Sequence, residues 1–354
     1  MTMSSRFEII STLAARAFAM IGPFGVSILT ARLLGPEDRG RYFFVIALAQ
    51  IAAQLAGLGL HASNSYLVAA RRHLLGRLVV NSLAVATLLG PLAALLAVGV
   101  ALGPELVGHP NTQPTGPAAF MALLIAPLSL SVLYLTNIAV GVGRVQLFNG
   151  LTVLSGMLAL LAAGLVALSG GGLLAYLAAA AAALAVTATV GLACLLRGNV
   201  PDLAFDVPLF REGIAYAFRA YLAALLGFLQ LRVGVIALQY NASFADLGQF
   251  SVAAQIADAL VLVPSTVGLL LFPNLIRADP SDRWRATMTT LRGVSLFMIA
   301  LSILVGALLP YAMPLIFGQA YDAAIWLTIA LLPSVLLVSL QSVLSQFVAA
   351  EGFP

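Results

Sequence analysis

The chain has 354 residues, of which 62% are hydrophobic and only 8% charged, and its mean hydropathy is +1.06. A water-soluble domain carries about 25% charged residues, so the composition excludes a soluble protein and specifies an integral membrane protein. The net charge of +4 does not indicate a nucleic-acid surface, because the basic residues, all arginine, are scattered between apolar runs instead of forming a patch.

A helix needs roughly 20 mostly apolar residues to cross a bilayer. Stretches of that kind run near Ile9–Ala31, Tyr42–Ala70, Leu78–Leu102, Pro117–Val142, Leu147–Leu168, Leu173–Leu196, Gly213–Tyr240, Leu247–Leu275, Leu291–Phe317 and Ala323–Ala350. Their length and their Leu and Ala content argue against strands. The expectation is an all-α, polytopic membrane protein with about ten transmembrane helices. The first run holds Arg16 and is too long for a signal-peptide core. It ends at Gly35-Pro36, where Glu37 and Asp38 favour a helix start, and the second helix is expected to open at Tyr42. This pattern returns at Ser243–Leu260. At one fixed offset without gaps, Asp38 pairs with Asp246, Gly40 with Gly248, Tyr42 with Phe250 and Arg77 with Arg285. Two related helix bundles follow as a hypothesis.

Charge orients the spans. With the N-terminus inside, the inner segments hold Arg6, Arg71, Arg72, Arg77, Arg144, Arg197, Arg211, Arg277, Arg283, Arg285 and Arg292. The outer ones hold only Arg32, Arg39 and Arg41, all in the first loop. Arginine-rich loops stay cytoplasmic, so the N-terminus is expected in the cytoplasm. The inner segment Arg197–Glu212 carries Pro201 and Pro208 and falls where the repeat restarts. It divides the chain into a six-helix lobe (1–197), a cytoplasmic linker (198–212) and a lobe of four helices (213–354), the second bundle being incomplete.

No phosphate-binding loop, zinc-binding helix, Cys pair or Ser-His-Asp set is present, and Cys194 is the single cysteine. His109 lies in the outer Pro/Gly-rich loop and reads as solvated, with no second ligand at metal spacing. No cofactor, metal or enzymatic activity is expected. Ionisable groups inside spans are the informative residues, because each costs at least a few kcal/mol at membrane depth and usually faces a cavity or a partner. Arg16 and Arg219 sit early in spans one and seven. Arg232 and Asp258 lie about 12 and 16 Å below the outer ends of spans seven and eight, close enough in depth to pair. Arginines on a shared cavity suit a diphosphate, since the guanidinium stays charged and offers forked donors. Against this stand snorkelling for Arg16 and Arg219 and a structural ion pair for Arg232 with Asp258. Pro23, Pro127, Pro264 and Pro333 should kink their helices. Asn64, Asn137, Asn149 and Gln255 should bridge helices, and Tyr66, Tyr134 and Tyr221 read as interfacial anchors before sugar-stacking residues.

The stretch ARLLGPEDRGRYFFVIALAQIAAQLAGLGL (31–60) resembles the start of polysaccharide-export flippases, the O-antigen and exopolysaccharide transporters of the multidrug/oligosaccharidyl-lipid/polysaccharide exporter superfamily. LGQFSVAAQIADALVLVPSTVGLLLFPNL (247–275) and PLIFGQAYDAAIWLTIALLP (314–333) resemble that family's eighth helix and its ninth-to-tenth connection. The resemblance implies two lobes around a partly cationic cavity that opens alternately to each side. The cargo it implies is an isoprenoid-diphosphate-linked oligosaccharide, moved across a bacterial cytoplasmic membrane. The implied partners are that lipid substrate, membrane lipid and the pathway's glycosyltransferases or polymerase. On the resemblance, Arg232 matches the family's helix-seven arginine, while Arg16 fits only the general idea of cavity charge. The family's second lobe has two more helices than the four read here, which implies a C-terminally truncated member. The alternatives are a drug/cation antiporter of the same fold, which would carry more deep carboxylates than Asp258, and a membrane-embedded polymerase or glycosyltransferase. A major-facilitator carrier is disfavoured because the loop AARRHLLGRL (69–78) lacks that family's signature.

Overall fold

The computed structural model describes residues 3–106, 117–198, 202–277 and 279–351; the side chains of residues 1–17, of Arg219 and of Arg232 lie outside the description, as does His109. Ten α-helices follow one another: α1 (Met3–Ala56), α2 (Leu60–Ala70), α3 (Leu75–Leu106), α4 (Ala122–Gly141), α5 (Val145–Ser169), α6 (Leu173–Leu195), α7 (Val207–Asn241), α8 (Phe244–Arg277), α9 (Pro280–Ile316) and α10 (Asp322–Ala350). No strand occurs among the described residues. The expected spans fall on these helices: α1 with α2 carries the first two, and α3 to α10 carry the rest in order. Seven described helices are long and apolar enough to cross a membrane alone, and the bent pair of α1 and α2 makes an eighth.

The first connection differs from expectation. There is no loop between the first two spans: Gly35 alone leaves the helical conformation (φ 73°, ψ 175°), and Pro36 starts the next helical stretch well before Tyr42. A positive φ suits glycine and a fixed φ suits proline at a helix start, so these two residues reverse the chain in one step. The arginines assigned to that loop are therefore helical. Arg41 pairs with Glu37 (2.6 Å) and Asp38 (2.8 Å) on the new helix. Arg39 is 3% exposed. It donates to Ser27 Oγ at 2.9 Å and to Thr30 Oγ1, and lies 5.8 Å from the centre of the Tyr42 ring. It clips the helix before Gly35 to the helix after it. Pro127 and Pro333 sit inside α4 and α10, while span two breaks at Leu58-Gly59, where there is no proline.

The chain divides into two compact units, Met1–Gly248 and Gln249–Pro354. In the first, α1 packs along α5, α3 on α4, and α4 against α6. Lipid offers helices no hydrophobic reason to associate, so small residues that let backbones approach decide the crossings. At the α1–α5 crossing a Cβ on Gly22 would lie 2.2 Å from the Gly156 carbonyl oxygen; at the α3–α4 crossing one on Gly90 would lie 2.9 Å from the Pro127 backbone. Asn64 donates to Ser82 Oγ (2.7 Å), joining α2 to α3. In the second unit Gln249 ties the start of α8 to the start of α10, accepting from Ala324 N (3.1 Å). The Trp284 and Phe347 rings meet edge-on at 5.2 Å, and Arg283 reaches the Ala350 carbonyl (3.2 Å) and Glu351 (3.3 Å).

Gly22→Ala should lower the thermal midpoint of the detergent-solubilised protein, the overpacking cost being about 1–3 kcal/mol. Gly164→Ala, at a helical glycine with open space around it, should leave the midpoint unchanged or raise it. Equal midpoints for the two variants would refute the close α1–α5 crossing.

Candidate functional site

The second span is broken within the first unit. The α1 helix stops at Ala56, α2 begins at Leu60, and the two axes differ by 50°. Leu58 (φ 48°) and Gly59 (φ 70°) both adopt left-handed backbone. For leucine that conformation costs roughly 1–2 kcal/mol, so the surroundings must hold it. At Gly59 a side chain is also excluded by space, because a Cβ would lie 2.8 Å from that of Tyr221 and 3.1 Å from that of Ala217.

A break inside a span releases backbone carbonyls, and lipid cannot satisfy them. Two phenols do so. Tyr134 of α4 donates to the Gly57 carbonyl (2.9 Å), and Tyr221 of α7 donates to the Leu55 carbonyl (3.0 Å). Tyr134 is fully buried, in a cluster with Ala56, Leu60, Val85 and Leu130 against which Phe210 and Ile214 of α7 also pack. These tyrosines are thus carbonyl partners at a broken helix, not the interfacial anchors the sequence suggested. The Tyr66 ring stacks on that of Tyr216, with centres 4.5 Å apart and planes 5° from parallel. Beside this stack, Gly213 lets α7 approach Leu60 and Ser63 of α2.

At the arginine-rich end of α7 the chain is clamped a second time. Asp206 caps α7 by accepting from Leu209 N (2.9 Å). Asn81 of α3 holds the Asp206 backbone from both sides, donating to its carbonyl and accepting from its N–H, each at 2.9 Å. Arg77 spreads its two guanidinium nitrogens over Asp206 (2.8 Å) and Asp202 (2.6 Å), and Arg71 pairs with Glu212. Residues 202–206, within the expected linker, are therefore fixed along α3. The Leu209 N–H, and after it Arg77, hold the Asp206 carboxyl below its ordinary value of 3.8.

Of the four residues singled out from the sequence, Arg16 lies in α1 and Arg219 and Arg232 in α7, with side chains outside the description; Asp258 is exposed on α8. The structure adds Leu58, Gly59, Tyr134, Tyr221 and the Tyr66–Tyr216 stack as the features that shape α2 and α7. Gly57-Leu58-Gly59 was a readable signal, since paired glycines within an apolar run mark a turn. Tyr216 offered none, because its partner is set by packing.

Gly59→Ala should destabilise the protein more than Tyr134→Phe. The first adds left-handed strain and a clash, while the second removes one hydrogen bond worth about 1 kcal/mol. The reverse order in thermal melts would contradict the break as described. The clamp at Asp206 is favoured by the ionised carboxylate. It is at full strength above the ordinary carboxyl value and weakens as pH falls through the depressed one. Acidification below pH 3.8 should therefore lower the protection factor of the Leu209 amide, its exchange rate measured against the intrinsic rate at the same pH, and Asp206→Ala, which removes the cap, should show low protection already at neutral pH; a protection factor unchanged by pH and by Asp206→Ala would refute the clamp.

A model of the family described as polysaccharide biosynthesis protein matches residues 7–279. No curated protein matches the chain. Among solved structures, the inward-facing conformation of a multidrug resistance MATE family transporter of the MOP superfamily is similar over 97% of this chain and 84% of that one, at 15% identity and a TM-score of 0.68. The MATE multidrug transporter DinF-BH, solved in complex with R6G, is similar over 99% of this chain and 83% of that one, at 18% identity and a TM-score of 0.64. A MOP superfamily transporter from Pyrococcus furiosus, whose reversed binding-pocket polarity suggests a different function, is similar over 97% and 83%, at 14% identity and a TM-score of 0.55. Identities this low establish the fold alone, which is that of the MATE transporters. With the family model matched over most of its length and that fold beneath it, the chain belongs to the polysaccharide biosynthesis protein family.

Proposed function

We propose that the protein is an exporter that moves a lipid-diphosphate-linked oligosaccharide across the bacterial cytoplasmic membrane by alternating access, with its N-terminus in the cytoplasm. The observation that carries this reading is the joint one of a polysaccharide-biosynthesis family match and a MATE-type helical fold. The family ties the chain to glycan assembly, and the fold is one used by membrane transporters. The orientation rests on the arginine asymmetry of the connecting segments.

The cargo reading asks for a cationic, water-filled space. Arg16, Arg219 and Arg232 are the residues we assign to it, with Asp258 facing the same space. Forked guanidinium donors fit the two phosphates, while the isoprenoid chain remains in the bilayer. The lobes that would rock are residues 1–197 and 213–354, joined by 198–212. Glycosyltransferases and a polymerase of the same pathway would supply and consume the glycan. A drug/cation antiporter is the second reading, favoured by the multidrug transporters among the structural neighbours. It is weakened by the carboxylate content of the spans, where Asp258 is the only deep acid in the sequence.

Reconstitution separates the two readings. Proteoliposomes carrying the protein should expose a fluorescent polyprenyl-diphosphate oligosaccharide, loaded in the inner leaflet, to an external glycosidase. Arg16→Ala and Arg232→Ala should each abolish that exposure at unchanged protein abundance. Cation-dye uptake under a proton gradient, without movement of the oligosaccharide, would overturn the exporter reading in favour of the antiporter.

A further inference from the structure

The repeat visible in the sequence has a physical counterpart at the end of the helices away from the arginine-rich connections. Gly40 and Gly248 are 208 residues apart, as are Pro36 and Phe244. A Cβ on Gly40 would lie 1.8 Å from the Phe244 carbonyl oxygen, and a Cβ on Gly248 would lie 1.9 Å from the Pro36 carbonyl oxygen. These are the same contact made twice. Position 40 of the first repeat meets the second-repeat equivalent of position 36, and position 36 of the first meets the equivalent of position 40. Reciprocity of that kind marks an isologous, two-fold interface. Two helix starts cross there at backbone distance, and only glycine at both positions permits it.

Each side of the contact is folded by its own residues. On the first, Gly35 turns the chain and Arg41 gathers Glu37 and Asp38. On the second, Asp246 accepts from the Ser243 N–H (3.0 Å) and hydroxyl (2.7 Å), closing the first turn of α8. Between them Phe44 and Phe244, each 2% exposed, meet edge-on with ring centres 6.0 Å apart, and the Arg41 guanidinium lies 5.4 Å from the centre of the Phe244 ring. Backbone apposition, one ring pair and one cation over a ring can separate without unfolding either turn, and they return to a single register because the glycines admit no other.

We propose that Pro36–Gly40 and Phe244–Gly248 form a quasi-two-fold clasp that closes the transport path at this end, the outer one in the orientation given above, and that their parting is the opening step. The clasp rests on the exporter reading only for what passes through it. Its existence rests on the reciprocal contact.

The test uses the full chain with Cys194→Ser and a reporter Phe44→Cys, labelled by a membrane-impermeant maleimide in oriented proteoliposomes. Labelling should be slow with both glycines intact. Gly40→Val and Gly248→Val should each accelerate it several-fold and to a similar extent, whereas Gly99→Val, at a helical glycine with nothing nearby, should not. No acceleration, or acceleration by one glycine variant alone, overturns the clasp. A second arm leaves the glycines untouched: Arg41→Cys with Phe244→Cys, joined by a short bis-methanethiosulfonate that releases methanesulfinate at each thiol, should form the bridge in high yield and stop oligosaccharide movement. Failure to bridge, or full transport by the bridged protein, overturns it too. If the unbridged protein moves no lipid-linked oligosaccharide, the cargo assignment falls while the labelling rates still decide the clasp.

Discussion

A carbonyl released inside a bilayer has no water to turn to, and much of the first unit is arranged around that demand. The break at Gly57–Gly59 would be untenable in an isolated helix. The Gly57 carbonyl accepts from both the Leu60 N–H and the Tyr134 phenol of α4, the Leu55 carbonyl accepts from the Tyr221 phenol of α7, and Gly59 leaves room for α7 to lie close. The direction of α2, the seating of α7 upon it and the stacking of Tyr66 on Tyr216 are consequences of the same local solution. Packing therefore groups α7 with the first six spans, and the division into compact units falls after Gly248. The repeat expected from the sequence would divide the chain at residues 198–212 instead, because resemblance between helices is not contact between them.

The arginines sort into distinct roles once their partners are known. Arg77 holds two carboxylates of the connection ahead of α7, Arg71 holds Glu212 within α7, and Arg283 holds the end of α10. Arg144 reaches the Cys194 carbonyl (2.8 Å) and so tethers the end of α6. Arg39 is buried with serine and threonine hydroxyls and braces the Gly35 reversal. These arginines are tied to named partners within the helices and their connections. They fix the connections on which any rearrangement of the helices would have to turn.

Helix number and order were legible because composition and span length leave few alternatives, and each expected span falls on a helix. The family was legible from the glycine and proline cadence of residues 31–60 and 247–275. What escaped was conformation within the apolar runs. Proline drew attention to Pro127 and Pro333, which lie inside α4 and α10, and away from the break in span two. The real break came from a Gly-Leu-Gly triplet whose effect depends on two distant tyrosines. Arg39 read as a loop residue because the turn beside it shrinks to one glycine. The reciprocal contact of Gly40 and Gly248 was half legible: the repeat paired the two glycines, but nothing in the residues said that they would meet the opposite turn.

The central claim is that the two repeats part and rejoin at their matching turns while a diphosphate-linked glycan is carried. Pulsed electron resonance between spin labels at Glu37 and Asp246, in a Cys194→Ser background, measures it most directly. One short distance is expected for the protein alone, with a second, longer population rising when polyprenyl-diphosphate oligosaccharide is added. A single distance unmoved by that lipid would contradict the account.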